Sequence, residues 1–392
     1  MKILYAAIDQ TVPGTLGGST HVQAVAEGLA ALGHEVHVAV RAGDAAVAGT
    51  VTWHDVRTPF GSPNLRLARR GAVARLATAI APDVVIERYH NFGGEGLLAA
   101  RRVGARTVLE VNAPVVDYPG SPKRTLDRAL LVEPMRRWRE WQCRTADLIV
   151  TTDRAILPAD TPAAKVVETE WGADTARFRP DASGPIPFAR DPAAPVAIFA
   201  GAFRAWHGVG RLVDAMEVLH AQGSPWHAVL IGDGPERAAL EARVAAARLR
   251  SVTFTGALPY AVMPAALAAA GAGVAPFEPD AHAPLRTGFY WSPLKVFEYM
   301  ASGLPTVVPD LPRLRAILGD GEAGVLYDRT VPGALAAALT MLLDPAIRRR
   351  LGQAARARAE AHFSWEAHCR ALDAAIGALR DRTRGAAGGG AR

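Results

Sequence analysis

The chain has 392 residues, half of them hydrophobic and 21% charged, a length that predicts two domains and a composition that excludes a disordered or coiled-coil chain. Its formal charge of +6 arises from 44 Lys and Arg dispersed among 38 acids, and no aromatic-basic motif accompanies them, which argues against a nucleic-acid partner. Cys143 and Cys369 have neither metal-binding nor redox spacing and indicate a reducing compartment, while the lack of a signal-peptide core or of ~18 uninterrupted apolar residues predicts a cytoplasmic location.

Short apolar runs alternate with amphipathic stretches from the first residue, the pattern of βαβ units around parallel sheets. Strands are predicted at 3–8, 35–40, 84–86, 107–111 and 148–151, with a glycine-rich loop and a helix at 21–32 after the first. These complete one doubly wound domain, residues 1–175. Residues 176–195 are rich in proline and lack apolar periodicity, which marks a linker. A second doubly wound domain, 196–364, follows with strands at 196–200, 228–231, 252–255, 273–275 and 305–308 and helices between and after them. A last helix is predicted over 365–380 and a disordered tail over 381–392. Two open α/β domains place a ligand cleft between them, beyond the carboxyl ends of the strands.

The segment SPLKVFEYMASGLPTVV, from Ser292, is the richest in chemistry. Ser292 and Pro293 suit an N-cap and a first turn, so a helix begins there with free amides. Lys295 and Glu298 share one face of it: a cation near the helix start suits a diphosphate, and a carboxylate one turn on accepts hydrogen bonds from two neighbouring ribose hydroxyls. Gly17 and Gly18 open the first helix and offer amides to an anion. Gly232, in GDGP, permits close backbone approach. Basic residues cluster at Arg66, Arg69, Arg70 and Arg75 and at Lys123, Arg124, Arg128, Arg136, Arg137 and Arg139; they read as solvated helix faces or as a contact for an anionic membrane surface or acidic partner.

FEYMASGLPTVV resembles the E-x-M-A-x-G-x-P-V signature of the retaining GT-B glycosyltransferases of family 4, the glycosyl transferases group 1, with Thr306 in place of the first valine. Six further segments resemble that family in order: GGSTHV, ADLIV, WGADTARFRP, AGAFRAWHGV, LIGDGPER and VTFTGALP. The resemblance implies two Rossmann-like domains facing a cleft, an acceptor-binding first domain, a donor-binding second domain and a terminal helix returning to the first. It places Glu298 on the nucleotide ribose, Leu258 beside the base, Gly232 beside the nucleotide, and the amides of Trp291, Ser292, Pro293 and Leu294 near the sugar and distal phosphate, proline lending only its carbonyl. The family's glutamate eight positions before Glu298 is here Tyr290. Its Arg and Lys after the first strand of the donor domain fall on Ala202 and His207, so the diphosphate rests on Arg204 and Lys295 with His207 in support. On the acceptor side the family's histidine position is Asn112, and the loop ERYHNFGGEG supplies Glu87, His90 and Glu95, His90 being the foremost of these; His21 is a capping or packing residue or an acceptor contact.

No D-x-D sequence occurs, so neither metal nor cofactor is expected. The resemblance implies a retaining transferase that moves a hexose or N-acetylhexosamine from a nucleotide sugar, UDP foremost, to a hydroxyl of a small-molecule or natural-product acceptor. The departing diphosphate acts as base in that scheme, stabilised electrostatically by Arg204 and Lys295, with domain closure orienting the substrates. A cell-envelope glycan or lipid acceptor with peripheral membrane contact is one alternative. A sugar-nucleotide-binding pseudo-glycosyltransferase and a GT-B epimerase are others, the last disfavoured because Asn112 and Tyr290 supply no acid and base pair.

Overall fold

Apolar runs with few polar interruptions call for sheets covered on both faces, and the computed structural model has two such sheets with every neighbouring pair parallel. It describes residues 1–14, 17–44, 47, 49–118, 120–189, 191 and 194–388, with backbone alone at 287 and 380–388. The chain divides into two compact units: Met1–Trp171 with Tyr290–Ser292 and the segment from Trp365 onward, and Gly172–Phe289 with Pro293–Ser364.

The first unit contains β1 (Lys2–Val12), α1 (Gly17–Ala31), β2 (Glu35–Ala42), β3 (Thr52–Asp55), α2 (Arg70–Ile80), β4 (Val84–Arg88), α3 (Glu95–Val103), β5 (Arg106–Val111), α4 (Pro122–Leu130), α5 (Pro134–Thr145), β6 (Leu148–Thr151) and β7 (Val166–Glu168). Its sheet has the order β3-β2-β1-β4-β5-β6-β7. One face carries Ile3, Tyr5, Val38, Ile86 and Val108 beneath α1; the other carries Leu4, Ala6, Ala39 and Val85 beneath α2 and α3. The strand order reverses between β1 and β4, so the ligand crevice of this sheet lies at their carboxyl ends.

The second unit runs β8 (Val196–Ala200), α6 (Val209–Ala221), β9 (His227–Ile231), α7 (Arg237–Ala246), β10 (Val252–Gly256), α8 (Met263–Ala268), β11 (Ala272–Val274), α9 (Leu294–Ala301), β12 (Thr306–Pro309), α10 (Pro312–Ile317), β13 (Gly324–Tyr327), α11 (Ala334–Met341) and α12 (Pro345–His362). Its sheet order is β10-β9-β8-β11-β12-β13, reversing between β8 and β11. Phe199, Leu230, Val274, Val307 and the indole of Trp226 form its core.

The last helix, α13 (Trp365–Gly388), belongs to the first unit, where Leu372, Ile376 and Leu379 complete the core. It runs past residue 380, where the sequence reading ended it, because DRTRGAA holds no proline and several good helix formers; residues 389–392 of the expected tail lie outside the described residues. Three strands escape sequence reading: β3, β7 and β13 are short edge strands whose faces are only partly buried, so apolar patterning is weak there. The expected linker 176–195 falls within the second unit; Phe178 is fully buried there, its ring 5.5 Å from that of Tyr260.

Candidate active site

In the second unit the reversal point is occupied by the side chain of Lys295, at the start of α9. Tyr299, one turn on, donates nothing to solvent; its buried hydroxyl accepts the amide of Ala200 at the end of β8, which fixes the rotation of the helix. That rotation puts the Lys295 ammonium 4.0 Å above the Phe199 ring centroid and 5.5 Å from that of Phe277. A Cβ on Gly201 would lie 2.6 Å from the ammonium and would push the tip of the lysine aside. The ammonium is buried without a hydrogen-bond partner, and burial lowers its pKa to about 7.

Glu298 is buried one turn further along and accepts a 2.9 Å hydrogen bond from the Tyr260 hydroxyl through Oε1. The Tyr260 ring lies under the Arg177 guanidinium, 4.7 Å from its centroid. Burial pushes the Glu298 carboxyl up to about 7. Leu258, half-buried, lies in the turn between β10 and Tyr260. Tyr260 and Arg177 were not foreseen, because neither belongs to a motif and they meet only in the fold.

Several expectations change. Ser292 does not cap α9: its hydroxyl donates to Glu170 and accepts from the Trp171 amide, both 2.7 Å, and the helix starts at Leu294 after Pro293 without a side-chain cap. Tyr290 is buried, its carbonyl accepting from Thr152 and its ring edge-on to Trp291, and residues 290–292 group with the first unit. His207 donates through Nδ1 to the Ala202 carbonyl, which leaves Nε2 an acceptor in the neutral ring. Burial, aided by Lys295 and Arg204, holds its pKa down to about 2, so it supplies no donor for a diphosphate from this geometry. Arg204, by contrast, is exposed. Gly232 and Gly234 are required by packing: a Cβ on either would collide with Gly201 or Phe203 backbone.

At the reversal point of the first unit the chain buries an ionic network. The Arg66 guanidinium is inaccessible to solvent and bonds Asp9 at 2.6 Å, Glu87 at 2.8 Å and Glu95 at 2.6 Å. Arg88 bonds Glu110 at 2.7 Å and approaches Nδ1 of His21 at 3.3 Å, while the Tyr5 hydroxyl donates to Glu110. Glu87, Glu95 and His21 have no exposed surface: Glu87 takes the amides of Gly94 and Gly96, and His21 has the packing role that was one of its two readings, its ring tilted against Trp171 with centroids 4.3 Å apart. Gly17 and Gly18 do open α1; a Cβ on Gly18 would lie 2.3 Å from Oε1 of Gln10. Asn112 bridges Glu110 and the Trp171 indole, and His90 stays partly accessible, its Nδ1 accepting the Phe92 amide at 3.2 Å and its pKa lowered by burial to about 4. The basic cluster at 66–75 divides: Arg66 is interior, while Arg69, Arg70 and Arg75 are exposed. Among the described residues no group of three or more His, Cys, Asp or Glu is placed to hold a metal, and no helix is long and apolar enough to cross a membrane.

The chain is thus built of two doubly wound units, with a buried cation and a buried carboxylate on one helix of the second. The family model "Glycosyl transferases group 1" matches residues 194–345 and that of "Glycosyltransferase Family 4" matches 16–157, and the chain belongs to these GT-B glycosyltransferases. It is 26% identical over 175 residues to the alpha-D-kanosaminyltransferase of Streptomyces kanamyceticus, a match covering 44% of this chain and 43% of that protein, so the chain spans under half the length of this curated relative. Among solved structures, the sucrose-phosphate synthase of Thermosynechococcus elongatus is 20% identical with a TM-score of 0.71, covering 98% of this chain and 99% of that one. HepE of Anabaena, solved with UDP and glucose, is 17% identical with a TM-score of 0.67, covering 96% and 100%.

Proposed function

We propose that this protein transfers a hexose or N-acetylhexosamine from a nucleotide sugar, most readily a UDP-sugar, to an acceptor hydroxyl with retention of anomeric configuration and without a metal. The observation that carries the reading is the Lys295 ammonium, buried and unpartnered at the reversal point of the second sheet with Glu298 one turn beyond. A buried cation without a partner is costly unless an anion completes it, and a diphosphate does so. Glu298 then holds the ribose hydroxyls, and the exposed Arg204 closes on the distal phosphate as the glycosidic bond breaks. The departing diphosphate oxygen takes the acceptor proton on the same face, and the chain contributes charge stabilisation in place of a protein base. UDP and glucose in HepE and UDP-glucose in a further structure of it support the donor class.

The acceptor hydroxyl belongs to a small molecule or natural product in the first reading; a membrane-borne acceptor is the second, favoured by the exposed Leu131 and Val132 of the first unit. His90, partly accessible in the loop after β4, is the foremost acceptor contact, with Asn112 after β5 a second. The test is a calorimetric titration with UDP, GDP, TDP and ADP, followed by an acceptor screen read by mass spectrometry with EDTA present and product anomers assigned by NMR. Saturable UDP binding with EDTA-resistant, retained product supports the proposal. Absence of nucleotide binding overturns it, and binding without transfer to any acceptor supports a pseudo-enzyme.

A further inference from the structure

Glu298 is a side chain with several free torsions, and a carboxylate that receives two neighbouring hydroxyls has to be held in one rotamer and kept ionised. The second unit builds a column of side chains suited to both tasks. The Tyr260 hydroxyl donates to Oε1 of Glu298 at 2.9 Å, and the Arg177 guanidinium lies over the same ring. Phe178, fully buried, meets that ring edge-on. Arg177 and Phe178 belong to a tight turn: Asp174 accepts the amides of Ala176 and Arg177 through Oδ1 at 3.1 and 3.0 Å, and that of Phe178 through its carbonyl at 2.8 Å. Arg356 of α12 donates to the Phe178 carbonyl and to the Ala301 carbonyl at the end of α9, both at 2.6 Å. One guanidinium therefore ties the turn to the helix that bears Glu298.

Four ionisable groups surround this carboxylate. Lys295 precedes it on α9, Arg177 acts on it from the turn, and the phenols of Tyr260 and Tyr299 are its neighbours, the latter held by the Ala200 amide. Burial raises the Glu298 carboxyl, and the Tyr260 hydrogen bond leads the contacts that oppose the rise, ahead of Lys295 and Arg177. Burial, then the carboxylate itself, holds the Tyr260 phenol above its usual value, so the hydroxyl remains a donor. It occupies one lone pair of Oε1, which leaves Oε2 and the rest of Oε1 to a ligand. We propose that Tyr260 is a positioning residue for nucleotide binding: its hydroxyl fixes Glu298 in the orientation and charged form that accept the ribose, and Arg177 holds the ring that carries it. This rests on the ribose role given to Glu298 above.

Tyr260→Phe deletes the hydroxyl and keeps the ring, its contact with Phe178 and its place under Arg177. The parent protein, Tyr260→Phe, Arg177→Gln, Glu298→Ala and Tyr260→Phe/Glu298→Ala are titrated by calorimetry from mildly acid to mildly alkaline pH. The probe is UDP, or whichever of GDP, TDP and ADP the parent binds more tightly, and unchanged circular dichroism and melting temperature confirm that each variant is folded. Loss of a hydrogen bond to the charged form raises the carboxyl further, so the acid limb of the affinity profile moves to higher pH in Tyr260→Phe and, by less, in Arg177→Gln. At neutral pH Tyr260→Phe binds about tenfold more weakly. In the Glu298→Ala background Tyr260→Phe changes nothing, because the group through which the hydroxyl acts is gone. Three results overturn the proposal and leave the transferase reading in place: a Tyr260→Phe or Arg177→Gln profile that superimposes on the parent's, a Tyr260→Phe loss that is the same at every pH, or a loss that persists beside Glu298→Ala, which assigns the hydroxyl to the nucleotide itself. A parent that binds none of the four nucleotides overturns the transferase reading, and this proposal with it.

Discussion

Lys295 and Glu298 owe their properties to burial in opposite senses, one pushed down to about 7 and the other up to about 7. On the proposed roles, a bound diphosphate returns Lys295 to its charged form, so affinity falls as pH rises above 7. Glu298 must be ionised to accept two hydroxyls, so affinity also falls as pH drops below 7. Nucleotide affinity should therefore trace a bell centred near pH 7 in calorimetry, its alkaline limb removed by Lys295→Met and its acid limb by Glu298→Gln; a flat profile for the parent protein would place both groups away from the ligand. At fixed pH, Glu298→Ala should cost about 1.5 to 3 kcal/mol of nucleotide binding, the worth of charge-assisted hydrogen bonds. Arg204→Ala should instead lower kcat more than affinity, since the charge it faces grows in the transition state.

At the scale of elements, α9 is legible as a helix because Val296, Phe297, Met300 and Ala301 alternate with polar positions, yet its cap is not. Ser292 has the right residue type and position, but Glu170 and Trp171 engage its hydroxyl from 122 and 121 residues away in sequence, a competition that no local pattern reveals. The loops after β8 and β11 are joined in the same non-local way. Gly208, at φ 70°, has its backbone against the Pro276 carbonyl, where a Cβ would come within 1.7 Å. Gly208→Ala should accordingly lower stability by more than the ~1 kcal/mol of a left-handed alanine, read by urea denaturation, and weaken nucleotide binding as well, because the displaced segment carries His207 beside Lys295. Asp344, whose carboxylate accepts the Ala346 amide at 2.7 Å at the start of α12, offers the contrast: Asp344→Ala should cost about 1 kcal/mol of stability and leave nucleotide affinity unchanged.

Across the whole chain, the alternation of strands and helices is plain in the sequence because buried parallel strands demand apolar runs, and Lys295 and Glu298 are plain because they share a helix face. The Arg66 network is hidden. RLARR reads as a basic surface run, and only the convergence of β1, β4 and α3 makes its first arginine the centre of three carboxylates. Arg66→Met should cost about 3 to 5 kcal/mol by leaving those carboxylates unpaired. Burial, then the Glu95 carboxylate, pushes Glu87 up to about 8; a raised carboxyl binds a proton in the folded state that the unfolded state has released, so this group makes stability fall as pH climbs from about 4.5 to 8. Glu95→Gln should flatten that slope in denaturation curves taken across the window. The placement of α13 bears on biosynthesis. Leu372, Ile376 and Leu379 finish a core whose other residues lie before position 172, so a ribosome has already synthesised the entire second unit before the first receives its final helix. At ~5 to 20 residues per second that interval lasts about 10 to 40 s, during which the underside of α1 and one face of β6 are open to water or to a chaperone, and the half translated first is the half completed last.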